Sequence, residues 1–160
     1  MGDIKHSRVA RSDVAAFTAL GAKVTLVAPP TLLPPSLVGW SVVVSHDIDA
    51  VLRTVDAVYV LRMQLERQTE SLVPSLREYT TTYGLTQARA KLLHDDAIIM
   101  HPGPMNRGVE IAASVADEPR SVITTQVANG VAVRMAVLYS LLAGPGANRE
   151  QSLSESEKLL

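Results

Sequence analysis

Four short runs rich in β-branched and aliphatic residues set the strongest limit on how this chain can fold. They are KVTLVA (Lys23–Ala28), WSVVVS (Trp40–Ser45, the weakest), DAVYVL (Asp56–Leu61) and AIIMH (Ala97–His101). None alternates strictly between apolar and polar residues, which is the pattern of strands covered on both faces, as in a parallel sheet. Helical patterns fill the spaces between them. Ser7 opens a stretch that Gly21 is placed to stop, because glycine accepts the left-handed turn at a helix end. Asp47 caps DIDAVLRTV, and Thr86 caps LTQARAKLL before the last run. Strand alternating with helix predicts an α/β fold, three-layered and doubly wound around a mostly parallel, Rossmann-like sheet.

The chain has 160 residues and a net charge of −1, with 47% hydrophobic residues. That suits one domain with a core of its own. Near-neutral charge gives no argument for a nucleic-acid partner or an acidic membrane surface. Without cysteine there is neither a disulfide framework nor a thiolate metal site. No apolar run reaches the ~20 residues of a membrane span, and the first residues lack a signal-peptide core, so a cytoplasmic location is expected. From Val122 to Gly144 the chain is apolar on more than one face, with Arg134 its single charge. A helix of that kind is normally buried between layers or domains. Residues 145–160 are polar and aperiodic, and are expected to form a tail without fixed structure.

Chemistry gathers in three loops, each leaving the carboxyl end of a strand or of an implied one. In doubly wound folds that is where ligands bind. GDIKHSRVARS (Gly2–Ser12) carries Lys5, His6, Arg8 and Arg11. LRMQLER (Leu61–Arg67) carries Arg62, Gln64, Glu66 and Arg67. HPGPMNRGVEI (His101–Ile111) begins with a turn braced by two prolines. If the strands are neighbours, the loops converge, and two arginine forks such as Arg8 and Arg62 suit a dicarboxylate. Each also has a plainer reading. Strand-end arginines are commonly solvated, and Glu66 with Arg67 can form a structural ion pair. His6 and His101 are more often hydrogen-bonded turn residues than bases. The four histidines lack metal-binding spacing, and Gly2 with Gly21 makes no dinucleotide fingerprint, so neither a metal nor a nicotinamide cofactor is supported.

At these loops, and at SLVPSLREYTTTYGLT (Ser71–Thr86), the sequence resembles the second, aspartate-binding domain of the aspartate carbamoyltransferases. The likeness runs from Gly2 to about Gly144, so residues 1–144 are expected to be that domain. The resemblance implies that Arg8 binds the α-carboxylate of aspartate, Arg62 its side-chain carboxylate, and that Gln64 positions it. It implies that backbone carbonyls of Pro102, Gly103 and Pro104 hold the carbamoyl nitrogen and the attacking amine. The implied reaction joins aspartate to carbamoyl phosphate, in pyrimidine biosynthesis, without cofactor or metal. An ornithine enzyme would be expected to show HCLP-like and SMG-like motifs where HPGP and LRMQ stand.

The family's preceding carbamoyl-phosphate domain, of about 150 residues, is expected to be missing, since neither an STRT nor an HPTQ motif occurs. The strand that should lead into Gly2–Asp3 is expected to be missing with it, leaving its neighbours with open edges. The helix from Thr124 to Leu142 would then show apolar surface. By resemblance the parent enzyme is a homotrimer, to which dihydroorotase or regulatory chains can add. Asp13 stands where asparagine is common. A chain of this kind is expected to be inactive alone. Two other readings stay open: a relic that binds dicarboxylates or a partner without turnover, and an unstable fragment.

Overall fold

A computed structural model describes residues 1–64, 66 and 72–143. Arg67 and the tail from 145 onward lie outside them. The chain divides into two units, Met1–Ile123 and Thr124–Leu160, each described by itself.

The first unit opens with helix α1 (Arg8–Ala19). The Ser7 side chain accepts a hydrogen bond from the Ala10 N–H, and the chain leaves the helix through Gly21 at φ +84°. Strand β1 (Val24–Val27) follows, then a single 3-10 turn at Pro30–Leu32, and β2 (Val42–Ser45). Helix α2 (Ile48–Leu52) begins at Asp47, whose carboxylate accepts from the Ala50 N–H. After β3 (Ala57–Tyr59) come α3 (Leu76–Tyr83), capped by Ser75, and α4 (Gln87–Ala90), capped by Thr86. Strand β4 (Ile98–Met100) and the short α5 (Ala113–Ala116) complete the unit. In α1 to α4 a side-chain oxygen satisfies a backbone N–H that the first helical turn leaves unpaired.

Every strand pairing is parallel. β1 pairs with β2 from Val24↔Val42 to Val27↔Ser45, and β3 with β4 from Ala57↔Ile98 to Tyr59↔Met100. The four expected strands all form, but as two separate two-stranded sheets. Between β1 and β3 runs the stretch Met1–Gly2. The Gly2 N–H donates to Val27 O at 3.1 Å, and the Leu61 N–H to Met1 O at 2.8 Å. The amino group of Met1 reaches Tyr59 O at 2.7 Å. Gly2 thus bridges in parallel to Leu61 while bonding to β1. Met1 and Gly2 therefore lie between the two strand pairs.

Apolar side chains fill two clusters. One joins Val58 and Ile99 of the β3–β4 pair, with Val60 just beyond β3, to Leu52, Leu85 and Ile111. The other joins Leu26 and Leu32 to Ile4, Val14, Met63 and Tyr79. Each aliphatic side chain so buried contributes roughly 1.5–3 kcal/mol.

The second unit is helix α6, assigned as Ile123–Leu142, with Ile123 itself belonging to the first unit's core. Burial of this helix, the normal state of such a pattern, is not found. Val131 is 60% exposed, Met135 65% and Leu142 73%. Its apolar side chains stand exposed along most of its length.

Candidate functional site

Asp3 is the centre of the rim. It is wholly buried, one residue past the close approach at Gly2. Its carboxylate accepts from the His6 N–H at 3.2 Å and meets His6 Nδ1 at 2.9 Å. It also accepts from the backbone N–H of Gln64 at 3.3 Å. One carboxylate therefore ties the first loop to the second. Gly2 allows this approach: it sits at φ +118°, and a Cβ there would lie 2.5 Å from Leu61 O.

Asn106 ties the third loop to the second, its Nδ2 donating to Met63 O at 3.1 Å. The three loops of the sequence analysis do come together. Glu110, also wholly buried, shapes the third. Its Oε1 accepts from the Asn106 N–H at 2.6 Å and lies 3.3 Å from His101 Nε2. His101 Nδ1 accepts from the Gly103 N–H at 2.9 Å, which places the ring hydrogen on Nε2, facing Glu110. The turn from Pro102 to Pro104 is thus anchored by a buried histidine and fixed by the two proline rings. Gly103 takes φ +61°, and the Gly103–Pro104 bond is cis.

The predicted side chains sit on this frame. Arg8 is the first, exposed residue of α1, and Gln64 and Arg62 are half-buried. The Arg62 guanidinium pairs with the Glu66 carboxylate four residues on. The expected partner of Glu66, Arg67, lies outside the described residues. Pro102 and Gly103 are half-buried and Pro104 is exposed. His6 and His101 are hydrogen-bonded turn and strand-end residues, as expected. Arg11 lies over the Trp40 ring, 5.9 Å from its centroid.

Sequence reasoning missed Asp3, Asn106 and Glu110 as organisers. The available signals were a carboxylate beside arginines at a strand end, and a lone glutamate in the apolar GVEIAA. Behind them lies Tyr79, 2% exposed, with no hydrogen-bond partner for its hydroxyl. Burial, then the carboxyls of Glu110 and Asp3 and neighbouring Tyr83, push its phenol well above the ordinary value.

Parallel strand pairs with interlocked loops beyond their carboxyl ends define the ligand-binding class of doubly wound α/β domains. Residues 1–141 match the family model described as "Aspartate/ornithine carbamoyltransferase, Asp/Orn binding domain", and the chain belongs to that family. It is 59% identical over 152 residues to the aspartate carbamoyltransferase catalytic subunit of Parafrankia sp., covering 95% of this chain and 49% of that protein. To the corresponding subunit of Acidothermus cellulolyticus it is 61% identical over 144 residues, covering 90% and 45%. The chain spans about half the length of these relatives. Among solved structures, aspartate transcarbamoylase from Trypanosoma cruzi in complex with carbamoyl phosphate aligns with TM-score 0.74 and 28% identity, over 87% of this chain and 47% of that one. Ornithine carbamoyltransferase from Pyrococcus furiosus aligns with TM-score 0.72 and 26% identity, over 86% and 47%. These neighbours bear out the doubly wound expectation.

Proposed function

We propose that the chain, over residues 1–144, forms the aspartate-binding half of a cytoplasmic aspartate carbamoyltransferase, the other half coming from a carbamoyl-phosphate domain. The observation that carries this reading is the joining of the three motif loops through Asp3 and Asn106. Identity of 59–61% to aspartate carbamoyltransferase catalytic subunits supports aspartate as the amino acid. Solved complexes of the Trypanosoma cruzi enzyme with carbamoyl phosphate and with aspartate plus phosphate support the substrate pair.

In this reading Arg8 binds the α-carboxylate, Arg62 the side-chain carboxylate, and Gln64 orients the amino acid. Carbonyls of Pro102, Gly103 and Pro104 hold the carbamoyl nitrogen and the attacking amine. The uncharged amine of aspartate attacks the carbonyl carbon of carbamoyl phosphate, and phosphate leaves. Rate comes from orientation and from charge near the developing oxyanion, most of it supplied by the other half. The parent assembly is a homotrimer.

Carbamoyl-aspartate formation tests the reading, with the chain alone and mixed with a separately expressed amino-terminal half. No turnover is expected alone, turnover is expected in the mixture, and Arg62→Ala is expected to reduce it by roughly 10²-fold or more. Activity in the mixture that survives both Arg8→Ala and Arg62→Ala would overturn the assignment. The ligand carboxylate replaces Glu66 at Arg62 in this reading and in a second, dicarboxylate binding without turnover. Aspartate that binds while the mixture stays silent would establish it.

A further inference from the structure

The turn from Pro102 to Pro104 contains a single backbone N–H, that of Gly103, because proline has none. Packing gives the turn little support. Pro104 is exposed, Pro102 and Gly103 are half-buried, and a Cβ on Gly103 would meet nothing within 4 Å. Carbonyls that face a ligand are not available to tie the turn to the domain. The Gly103 N–H is then the turn's one hydrogen-bonding handle, and His101 Nδ1 holds it at 2.9 Å.

That bond exists in one state of the ring. A neutral imidazole carries its proton on either nitrogen, and with the proton on Nδ1 two N–H groups would face each other. The other nitrogen makes the choice. Glu110 Oε1 lies 3.3 Å from Nε2 and also accepts the Asn106 N–H at 2.6 Å, so it presents an acceptor to the ring. Both side chains are wholly buried, which leaves no bulk water to take the carboxyl group's place. Glu110 works from a fixed base. Its carbonyl accepts from the Leu85 N–H at 2.9 Å, and Ile111 beside it bridges in parallel to Leu85.

We propose that Glu110 is a positioning residue for carbamoyl transfer: it holds His101 as the Nε2–H tautomer and thereby aims the carbonyls of Pro102, Gly103 and Pro104. It touches neither substrate. This role rests on the carbamoyltransferase reading and adds to it a residue that acts through the turn. In that reading Arg8 and Arg62 grip the carboxylates of aspartate, so a misaimed turn leaves aspartate binding in place and slows the chemical step. The loss is therefore expected in kcat and not in the KM for aspartate.

Two measurements test it. Carbamoyl-aspartate formation by the full chain mixed with the separately expressed amino-terminal half gives the kinetics. Long-range nitrogen–proton NMR on the full chain shows which nitrogen of His101 bears the proton, and Nε2 is expected. Glu110→Met removes the acceptor and is expected to lower kcat roughly 10²-fold, with the KM for aspartate within about threefold of wild type. Glu110→Gln keeps an oxygen acceptor and is expected to restore kcat to within about fivefold of wild type. In His101→Asn a side-chain oxygen accepts the Gly103 N–H with no tautomer to select, so adding Glu110→Met to it is expected to cost no more than about threefold. A general structural role would cost the same in both backgrounds. If Glu110→Met does not melt cooperatively, the wild-type tautomer and Glu110→Gln decide. With wild type active, the proposal is overturned by a proton on Nδ1, by a kcat that Glu110→Met leaves unchanged, by equal losses in the two backgrounds, or by a roughly 10²-fold loss in Glu110→Gln. A silent wild-type mixture overturns the functional reading, and this role with it.

Discussion

Asp3 and Glu110 are both wholly buried; Asp3 is held by donors from two separate loops, at His6 and Gln64, while Glu110 is held through Oε1 by Asn106 of its own loop and its Oε2 has no partner. Charged groups leave water only when such partners replace it. Asp13 resembles Glu110 in lacking one such partner. One of its oxygens, Oδ2, is buried without a partner. Burial raises its pKa above 3.8, opposed in part by a hydrogen bond with Tyr59 and by the Met1 amine. That amine is itself pushed down to about 5 by burial. A carboxyl whose folded pKa is raised binds its proton more firmly in the folded state. Its contribution is present in full below pH 3.8 and is lost as pH rises through the folded value. At neutral pH an ionised Asp13 therefore costs stability. Asp13→Asn keeps an acceptor for Tyr59 without the charge, and is expected to raise Tm at neutral pH by about 1–3 °C. Since Asp13 is half-exposed, a larger gain is not expected. Thermal melts across pH check this: the gain should shrink towards pH 3.8, and a gain independent of pH would refute the account.

Elements were legible in the sequence where their signals are local. Ser7, Asp47 and Thr86 cap the helices they were expected to cap, because a cap and its N–H lie three residues apart. The β-branched runs became strands even at WSVVVS, although there the expected cover on both faces is not found: Val43 is 65% exposed. The rim was legible as three loops but not as a joined structure. Asp3 meets Gln64 across 61 residues, and Asn106 meets Met63 across 43. No periodicity records contacts at such separations. Gly84, at the end of α3, is similar: no local pattern marks its close approach. In the structure a Cβ there would lie 2.6 Å from Thr80 O and 2.9 Å from Val109 O, so the helix end and the rim loop meet backbone to backbone. Gly84→Ala is expected to destabilise by about 1–3 kcal/mol, because neither neighbour is a side chain that can move aside. Urea unfolding measures this, and a neutral or stabilising result would show that the third loop can shift away.

At the scale of the whole molecule, the apolar surface of α6 sets how the chain behaves in solution. Its exposed residues include Val127, Val131, Leu138 and Leu142 along one line, and Val133, Val137 and Leu141 on others. Arg134 is the single charge in the helix. Monomeric proteins rarely leave so continuous an apolar patch in water, and a helix apolar on several faces is stable only when something covers it. The isolated chain is therefore expected to self-associate, and sedimentation velocity should show species that grow with concentration. Ending the chain at Ile123 removes this surface yet keeps the residue that packs into the core. That variant is expected to remain a single small species, with a cooperative melt changed by no more than about 1 kcal/mol. Equal association by both chains would move the sticky surface to the open edges of β1 and β3. Loss of the cooperative melt in the shorter chain would show instead that α6 contributes to the stability of the first unit, so that the same residues serve folding as well as assembly.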